Sequence, residues 1–586
     1  MRELILGDIP EDFDPEKHQV LGPWSFFGSF EKQKFLVEHP EILPPISFSR
    51  EQHDEIDQTV DELFHYFLPV LSKHLNHKNN VDYNPLFWKI MLGDWLMYLI
   101  NGVVQKRMRL KNFFAWYGAK PLKVNLLQFT NDGYFFHWKD FNVCGHICNV
   151  YNAYLSSVAM ETLPNIQIER TIFRTKYVPP NFQNSKKTQP AKGLKYYFNS
   201  LRSFLLNLNS RLLRSQTGNG LGTVGMFFLG LLLHFKAKKY SHQNSLQRLL
   251  RYQEHPPENV LSWMDWENFL LKNIPRYYYT VKDIKPLWPV YKKGIFICQN
   301  YKDTDPLMKR YALMYSGDVH FVSAQNGGGG YGEFFSGQRA MLAEYSLDGF
   351  LTWGWIRHRH FKGNFYPLPS AMLSRLRKIK YVRGKNNPEE KIIWASTVIS
   401  PYDLGNISGY DPYYVADYVT RISLFINALQ PQKMKSFFFR PRPTQELVSF
   451  SIKDLVLSRC KNKESVKLDR SLIDQEFPKL SLVIVDNPGG LLHKAIASNV
   501  PTIICWNRKQ WLMCDEYEEF LDRAKKVNIF FDDPRELAAF INERKGSFQE
   551  WWDSAPVQDV ILDFCSRWAL TSPSPCFEWL NFFYHY

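Results

Sequence analysis

The sequence predicts an α/β protein built mainly from two Rossmann-like domains. Residues 293–355 alternate predicted strands and helices around four consecutive glycines, and residues 391–506 repeat this alternation. Strands that alternate with helices in this way build parallel sheets. The chain of 586 residues is long enough for two or three such domains and a large core.

The composition is that of a globular protein with a basic surface. Hydrophobic residues make up 45% of the chain, aromatic residues 16%, and the formal net charge is +14. This charge favours an anionic partner such as a nucleotide, a membrane surface or an acidic glycan, and a generic basic surface explains it equally well. Nucleic acid is not expected, because the basic residues are not gathered with aromatic stacking motifs. Eight scattered cysteines and the lack of a secretion signal pattern predict a cytoplasmic protein.

Residues 1–83 are predicted to form a helical and irregular extension before the first Rossmann-like domain. Its one clear helix, predicted at Arg50–Lys73, carries apolar side chains at helical spacing. These side chains are Ile56, Val60, Leu63, Phe64 and Phe67. A long, largely buried helix is predicted at 84–110, and the strand VNLLQF follows it.

Polar side chains follow the strand VNLLQF directly. Asp132, His137 and Asp140 lie just past the predicted strand end, which is a usual place for catalytic side chains. An Asp-Gly loop is also ordinary turn chemistry, so both interpretations stay open. Cys144 and Cys148 lack a second pair at zinc-ligand spacing, and no metal is predicted.

A basic insertion is predicted near 179–245. It contains a polar linker (179–196), a glycine-rich break (216–222) and an apolar run (224–235) between basic segments. The apolar run is too short to span a bilayer, which needs about 20 residues. A helix that lies on an anionic membrane and a buried core helix both fit this pattern. The protein is therefore predicted to be cytoplasmic, with peripheral contact to the inner face of the membrane as one alternative.

A glycine turn follows the predicted strand Val319–Ser323, and a helical pattern (337–350) comes after it. Such a turn lies at the carboxyl end of a strand, where ligands bind in open α/β sheets. Its glycines let backbone N–H groups approach a phosphate or a sugar, although a purely structural turn has the same sequence. The predicted substrate-binding residues are Gln325, Asn326, Gly327, Gly328 and Tyr331, with Trp353 and Trp355 either stacking on a sugar or packing in the core.

The carboxyl-terminal half contains a second glycine turn. The strand LSLVIVD (480–486) is followed by Asn487, Gly489, Gly490 and a helix that carries His493. The amino terminus of that helix offers N–H donors and a positive dipole end to a diphosphate. Arg440 and Arg442, at the end of another strand, suit phosphates, although two surface arginines would look the same.

Six short motifs carry a resemblance to a known family. They are FWKIMLGDWLMYLINGVVQKR, TNDGYFFHWKDFN, SAQNGGGGYGEFF, DGFLTWGW, LVIVDNPGG with NVPTIICW, and FQEWWDSAPVQDVILDFCSRWA. In this order they resemble a transferase family of bacterial O-antigen and surface-carbohydrate gene clusters. The segment from 482 to 506 is also similar to the donor site of GT-B glycosyltransferases.

The resemblance implies a GT-B-like architecture in which two Rossmann-like domains face a central cleft. It implies an acceptor domain at 84–382, a nucleotide-sugar donor domain at 383–545 and a helical tail at 546–586. The implied reaction is metal-independent glycosyl transfer to a lipopolysaccharide or surface-polysaccharide precursor, with no cofactor besides the nucleotide-sugar substrate. The implied nucleotide-binding residues are Arg440, Arg442, Asp486, Asn487, Gly489, Gly490 and His493. The candidates for the catalytic base are Asp132, Asp140 and Glu333.

The sequence departs from the family pattern at three places. Asn326 stands where a histidine is expected, His493 where an acidic residue is common, and Arg440 where a His-Pro-like pair would begin. Histidine can move protons near neutral pH and asparagine cannot. Two alternatives therefore accompany the glycosyltransferase hypothesis. One is a phosphotransferase of the teichoic-acid polymerase kind, which also has a GT-B fold, and the other is an inactive glycan-binding or scaffold relative.

Overall fold

The computed structural model describes the chain with several gaps. The described residues are 1–83, 85–136, 138–163, 168–179, 257–283, 294–298, 319–328, 331–337, 344–345, 348–359, 361, 363–377, 391–403, 411–442 and 449–586. His137 and nearly all of the basic insertion (179–245) lie outside them. The same is true of residues 304–317, for which the sequence predicts the helix between the strands near 293–300 and 319–323.

The described residues form a mixed α/β structure with parallel sheets and many helices, which confirms the predicted α/β class. The strands, in chain order, are β1 (Arg2–Ile5), β2 (His18–Val20), β3 (Leu122–Phe129), β4 (Glu169–Thr175), β5 (Gly294–Cys298), β6 (Val319–Ala324), β7 (Gly349–Thr352), β8 (Phe365–Pro367), β9 (Ile392–Ala395), β10 (Phe437–Arg440), β11 (Lys467–Leu468), β12 (Leu482–Val485), β13 (Thr502–Cys505) and β14 (Phe530–Phe531).

Helices cover the faces and the ends of these sheets. The α-helices, in chain order, are α1 (Phe30–Glu38), α2 (Arg50–Asn79), α3 (Pro85–Tyr117), α4 (Trp138–Ile147), α5 (Asn149–Glu161), α6 (Glu258–Leu261), α7 (Trp266–Asn273), α8 (Ala371–Leu376), α9 (Val415–Ala428), α10 (Pro431–Met434), α11 (Ile452–Ser458), α12 (Ile473–Glu476), α13 (Gly490–Ala497), α14 (Asp515–Lys526), α15 (Pro534–Glu543), α16 (Phe548–Trp552), α17 (Ala555–Trp568) and α18 (Pro575–His585). The 3₁₀ segments are Pro23–Phe26, Pro40–Ile42, Arg276–Asp283, Pro412–Tyr414 and Lys463–Ser465.

The first sheet has the strand order β2-β1-β3-β4, and all of its strand pairs are parallel. The sequence predicted β3 but no strand in the first 83 residues. β1 and β2 have only four and three residues, too few to show an apolar period. Because β1 pairs with β3, residues 2–5 and 122–129 share this sheet.

The predicted helix near the amino terminus is confirmed as α2. Ser49 and Gln52 form a capping box at its start, which satisfies backbone donors of the first turn. The predicted apolar face is buried, and it packs against α3 in the first hydrophobic core. The helix predicted at 84–110 is confirmed as α3, which continues to Tyr117.

The middle sheet has the parallel order β5-β6-β7-β8. The strands predicted around 293–300 and 319–323 are confirmed as β5 and β6. The helical pattern that was extended to Phe350 is wrong at its end, because Gly349–Thr352 forms β7. All four of its residues are buried, and β7 pairs with β6. A short apolar run buried on both faces cannot be told from a helix by periodicity alone.

The carboxyl-terminal sheet has the order β11-β10-β9-β12-β13-β14, with parallel neighbours throughout. Numbered from β9 onward this order is 3-2-1-4-5-6, which is the doubly wound order of dinucleotide-binding domains. β9 to β11 extend the sheet in one direction and β12 to β14 extend it in the other, so the strand order reverses between β9 and β12. Ligands of such sheets bind outside the carboxyl ends of the strands at this switch point.

One hydrophobic core joins the glycine-turn region of the middle sheet to the carboxyl-terminal sheet. Phe334, Phe350 and Trp353 belong to the same buried cluster as the strand residues Ile393 and Val483. A smaller cluster lies between the middle sheet and α18. The turns that follow β6 and β12 are therefore held on neighbouring parts of one core.

Candidate functional site

The two predicted glycine turns contact each other. A Cβ atom built on Gly328 would lie 2.0 Å from Cε1 of His493 and 2.9 Å from the carbonyl oxygen of Pro488. A Cβ on Gly490 would lie 3.9 Å from the Cα atom of Gly327. The turn after β6 thus packs directly on the turn after β12, which ends at the switch point of the carboxyl-terminal sheet.

Glu333 and His493 form a buried pair where these turns meet. Nε2 of His493 lies 3.2 Å from Oε1 of Glu333, and both side chains are completely buried. Nδ1 of His493 lies 3.1 Å from the carbonyl oxygen of Gly489. Because a carbonyl oxygen only accepts, Nδ1 donates its proton there, and a single proton then lies between Nε2 and Oε1. The pair holds this proton away from solvent.

The second carboxylate oxygen of Glu333 has a different environment. Oε2 is buried and has no hydrogen-bond partner among the residues that the structure describes. A buried acceptor without a partner costs about 1–3 kcal/mol. Such groups in native proteins often serve function, so this oxygen marks Glu333 as the chemically unusual member of the site.

Backbone pairing fixes the position of Glu333. Its carbonyl oxygen accepts a hydrogen bond from the N–H of Cys514, and Phe334 forms a bridge with Met513. The segment from Gly332 to Phe335 therefore pairs with residues 512–514 of the carboxyl-terminal half in an antiparallel bridge. Glu333 is held there although it precedes His493 by 160 residues.

Gln325 connects the site to the Trp353–Trp355 segment. Its Nε2 donates to Oε1 of Glu333 (3.2 Å) and to the carbonyl oxygen of Gly327 (3.0 Å). Its Oε1 accepts from the N–H of Trp353 (3.0 Å) and from Nε1 of Trp355 (2.9 Å). One buried amide thus orients the carboxylate, the glycine turn and both tryptophans.

Burial of the two tryptophans favours packing over sugar stacking. Trp353 and Trp355 are each 5% exposed. The Trp353 ring lies edge-on to His493, with 5.7 Å between ring centroids. Asn326 and Gly327 are partly exposed, and the hydroxyl of Tyr331 donates to Oδ1 of Asn326 at 2.9 Å. The accessible part of this segment is therefore the glycine turn itself.

Asp486 lies in the core at the switch point. It is 2% exposed, and its Oδ2 accepts from Nε1 of Trp394 and from the hydroxyl of Tyr418, both at 2.7 Å. Burial raises the pKa of Asp486 to about 6 despite these bonds. The sequence did not identify Trp394 and Tyr418, whose contacts only the folded sheet brings together. Asp486 thus connects the turn after β12 to β9 and α9 through hydrogen bonds.

The turn after Asp486 leads into a helix without a side-chain cap. Oδ1 of Asn487 accepts from the N–H of Gly489 at 2.9 Å, and Gly489 precedes α13. The first N–H groups of α13 are thus not capped by a side chain. They carry the positive end of the helix dipole, which favours an anion at this turn.

The two predicted arginines differ in their surroundings. Arg440 is partly buried at the end of β10, and its Nη1 donates to Asp469. Burial alone would raise the pKa of Asp469, but hydrogen bonds from Lys391, Ser471 and Arg440 lower it. Arg442 is exposed. Arg440 therefore already has a carboxylate partner, whereas Arg442 is the exposed cation of the two.

The other two base candidates lie on the loop and the helix that follow β3 of the first sheet. Asp132 is exposed on the loop after β3, and the neighbouring Gly133 is bonded to Lys272 and Arg276. Asp140 is partly exposed in the first turn of α4. Of the three predicted bases, Glu333 is the one that contacts the second glycine turn, through His493.

A pocket of about 670 Å³ borders Gly332 and Trp355, next to the buried pair. Arg357, Arg359 and Arg567 line it, and each of them pairs with a carboxylate. This volume is within the range of small-molecule sites. The site residues predicted from the sequence do not include these arginines, although the basic run RHRH (357–360) shortly after Trp355 is a visible signal.

The described residues hold neither a candidate metal site nor a membrane-spanning helix. In the described ranges, no three His, Cys, Asp or Glu side chains are grouped so that they could hold a metal ion. Among the helices that the structure describes, none is both long and apolar enough to cross a membrane.

One comparison with known proteins gave a match. The family model described as LIC12162 family transferase matches residues 2–583, nearly the whole chain. No curated protein matches the sequence. The predicted resemblance to a transferase family is thereby confirmed.

Proposed function

We propose that this chain, which belongs to the LIC12162 family of transferases, moves a sugar from a nucleotide-sugar donor to a hydroxyl group of a surface-polysaccharide or lipopolysaccharide (O-antigen) precursor. The observation that carries the proposal is the contact of the two glycine turns around Glu333 and His493. It joins a switch-point turn suited to a diphosphate with a buried carboxylate suited to proton transfer.

The donor would bind at the second turn in a GT-B-like arrangement. The uncapped amino terminus of α13 offers N–H groups and a positive dipole end to the diphosphate. Asn487, Gly489 and Gly490 shape this turn, and the exposed Arg442 supplies a further cation. Because these groups neutralise the leaving diphosphate, the proposed reaction needs no metal.

Glu333 would be the catalytic base. It would accept the proton of the acceptor hydroxyl while that oxygen bonds to the anomeric carbon and the nucleoside diphosphate leaves. His493 and Gln325 would position the carboxylate through Oε1, leaving Oε2 to take the proton. Since Glu333 is completely buried, donor binding must separate the two turns before the acceptor reaches it.

A thermal-shift screen of the full chain with UDP-, GDP-, dTDP- and CMP-sugars tests the donor site. A ligand at 100 times its dissociation constant should stabilise the protein by about 2.7 kcal/mol. Absence of a shift with every nucleotide sugar would overturn the proposal.

A second test assigns the base. Glu333→Gln should preserve the donor-induced shift and slow sugar transfer by about 100-fold or more, the usual contribution of general base catalysis. Asp132→Asn and Asp140→Asn serve as matched controls and should retain transfer. Loss of transfer in either control, with normal transfer in Glu333→Gln, would move the base to the first sheet.

Two observations favour a non-catalytic relative as the second candidate. Glu333 and His493 are both inaccessible, and Arg440 is paired with Asp469. A binding or scaffold protein would show a shift with glycan or nucleotide but no transfer with any donor. A phosphotransferase of the teichoic-acid polymerase kind would instead respond to CDP-glycerol, which belongs in the same screen.

A further inference from the structure

A small pocket lies between α3 and the segment that follows β9. Its volume is about 30 Å³, and its lining includes Lys106 and Arg109 from α3, Tyr402, and the carboxylates of Asp403 and Asp411. A single water needs roughly 10–15 Å³ by this kind of measure, so the pocket suits one compact group and not a sugar ring. None of these residues belongs to the site proposed above.

Arg109 is fixed at the pocket and incompletely paired. It is 6% exposed, and its Nη2 donates to Oδ2 of Asp411 at 3.1 Å. Its guanidinium also lies over the ring of Phe48, at 4.4 Å from the centroid. Nη1 is buried and has no hydrogen-bond partner among the described residues. A buried, charged donor without a partner is costly, so an acceptor in the pocket would stabilise it.

Asp411 accepts a hydrogen bond from Nη2 of Arg109 but not from Nη1. Its Oδ2 accepts from Arg109, and its Oδ1 accepts from the N–H of Tyr413 at the start of a 3₁₀ turn. Each oxygen thus has one hydrogen bond already, and Nη1 of Arg109 has no acceptor among the described residues.

Lys106 lies one turn before Arg109 and lacks a carboxylate partner. Its Nζ lies over the rings of Tyr402 and Trp24, at 5.0 and 6.0 Å from their centroids. In the described part of the chain, no hydrogen bond or ion pair of this ammonium is found. Burial, and then the charge of Arg109, lower the pKa of Lys106 to about 7. An unpaired ammonium beside a guanidinium is unfavourable unless an anion lies between them.

We propose that Lys106 and Arg109 form a binding site for one phosphoryl group, separate from the donor turn at α13. A phosphoryl group offers the oxygens that both cations need, and one such group fits the pocket. The group belongs either to free inorganic phosphate or to a phosphomonoester whose remainder stays outside. This assignment does not depend on the proposed sugar transfer.

Lysine acetylation followed by mass spectrometry tests the site in the full chain at neutral pH. Inorganic phosphate and glucose 1-phosphate are added separately, with sodium chloride at matched ionic strength as the reference. Lys106 should be protected by phosphate or by the sugar phosphate. Lys111, also on α3 and 43% exposed, should react equally under all conditions.

The order of effectiveness identifies the source of the group. If glucose 1-phosphate protects Lys106 at lower concentrations than inorganic phosphate does, the natural ligand is a phosphomonoester. If inorganic phosphate protects at lower concentrations, the ligand is free phosphate. Equal reactivity of Lys106 with either compound and with chloride would overturn the proposal.

Lys106→Met provides the second measurement. Removing an unpaired, partly buried cation should not lower Tm, so loss of binding in this variant is not loss of folding. Its affinity for the protecting compound, measured by calorimetry, should fall about 10- to 100-fold, which corresponds to one charge-assisted hydrogen bond. Lys111→Met should bind like the unchanged protein. Equal affinity in Lys106→Met and the unchanged protein would place the phosphoryl group elsewhere.

Discussion

At the scale of single residues, Gly328 and Gly327 show how closely the two turns approach. A Cβ on Gly328 would overlap the ring of His493, whereas a Cβ on Gly327 would meet no atom within 4 Å. Two adjacent glycines in the same turn therefore differ completely in their tolerance of a methyl group.

Gly328→Ala should destabilise the protein by about 1–3 kcal/mol, because the new methyl group must displace His493 or part the turns. Gly327→Ala is the matched control and should change stability little. Urea unfolding of both variants measures the difference. Equal stability of the two variants would show that the turns do not contact each other in solution.

Asp486 is the residue whose proton equilibrium should affect stability. Its pKa is about 6 in the folded chain, above the usual aspartate value of 3.8. Its contribution to stability is therefore complete below about pH 4 and is lost as the pH rises through about 6. The loss amounts to about 3 kcal/mol for a shift of this size.

Asp486→Asn should remove this pH dependence. The stability of the unchanged protein relative to the variant should decrease between about pH 4 and pH 6 and stay level above it. Asp417→Asn, an exposed position on α9, is the control and should keep the original profile. Parallel unfolding midpoints of the unchanged protein and Asp486→Asn from pH 4 to 8 would contradict the prediction.

At the scale of elements, the carboxyl-terminal helices support the middle sheet. The indole N–H of Trp579 on α18 donates to the carbonyl oxygen of Pro369 after β8, and Phe583 is completely buried against the sheet. Gly354, with φ +132°, lies against the backbone of Ser566 near the end of α17. The tail thus covers the sheet from which Gln325 projects.

Phe583→Ala should cost about 3–5 kcal/mol of stability, since a large buried ring leaves a cavity. Phe577→Ala, on the same helix but 70% exposed, should change stability by no more than about 0.5 kcal/mol. Thermal unfolding separates the two variants. A small effect of Phe583→Ala would mean that α18 does not cover the middle sheet.

The same elements show what the sequence could and could not predict. β12 and its turn were visible as an apolar run followed by Asp-Asn-Pro-Gly-Gly, because local pattern and turn chemistry agree there. The pairing of Glu333 with His493 spans 160 residues and has no local signal. The roles of Trp394 and Tyr418 likewise depend on the strand order, which periodicity does not specify.

At the scale of the whole molecule, one segment connects several parts of the fold. Phe335 bonds to Leu512, and the hydroxyl of Ser336 donates to Asp57 of α2 at 2.8 Å. The segment that carries Glu333 therefore contacts both the amino-terminal helices and the carboxyl-terminal half. Separation of the two glycine turns would be transmitted to these contacts.

The sequence leaves peripheral contact with an anionic membrane surface as one alternative, which the net charge of +14 would favour. The protein should sediment with vesicles of phosphatidylglycerol and phosphatidylcholine at low salt and be released at high salt. It should not bind vesicles of phosphatidylcholine alone. Equal recovery from both kinds of vesicle would remove the membrane surface from the list of partners.

The shared proton of Glu333 and His493 makes the contact between the turns observable. This proton is shielded from water as long as Gly328 covers the imidazole ring. Its exchange with solvent, followed as a histidine N–H resonance in NMR, therefore measures how often the turns separate. A donor that opens the turns would accelerate this exchange, so the pair reports on the opening step without any added label.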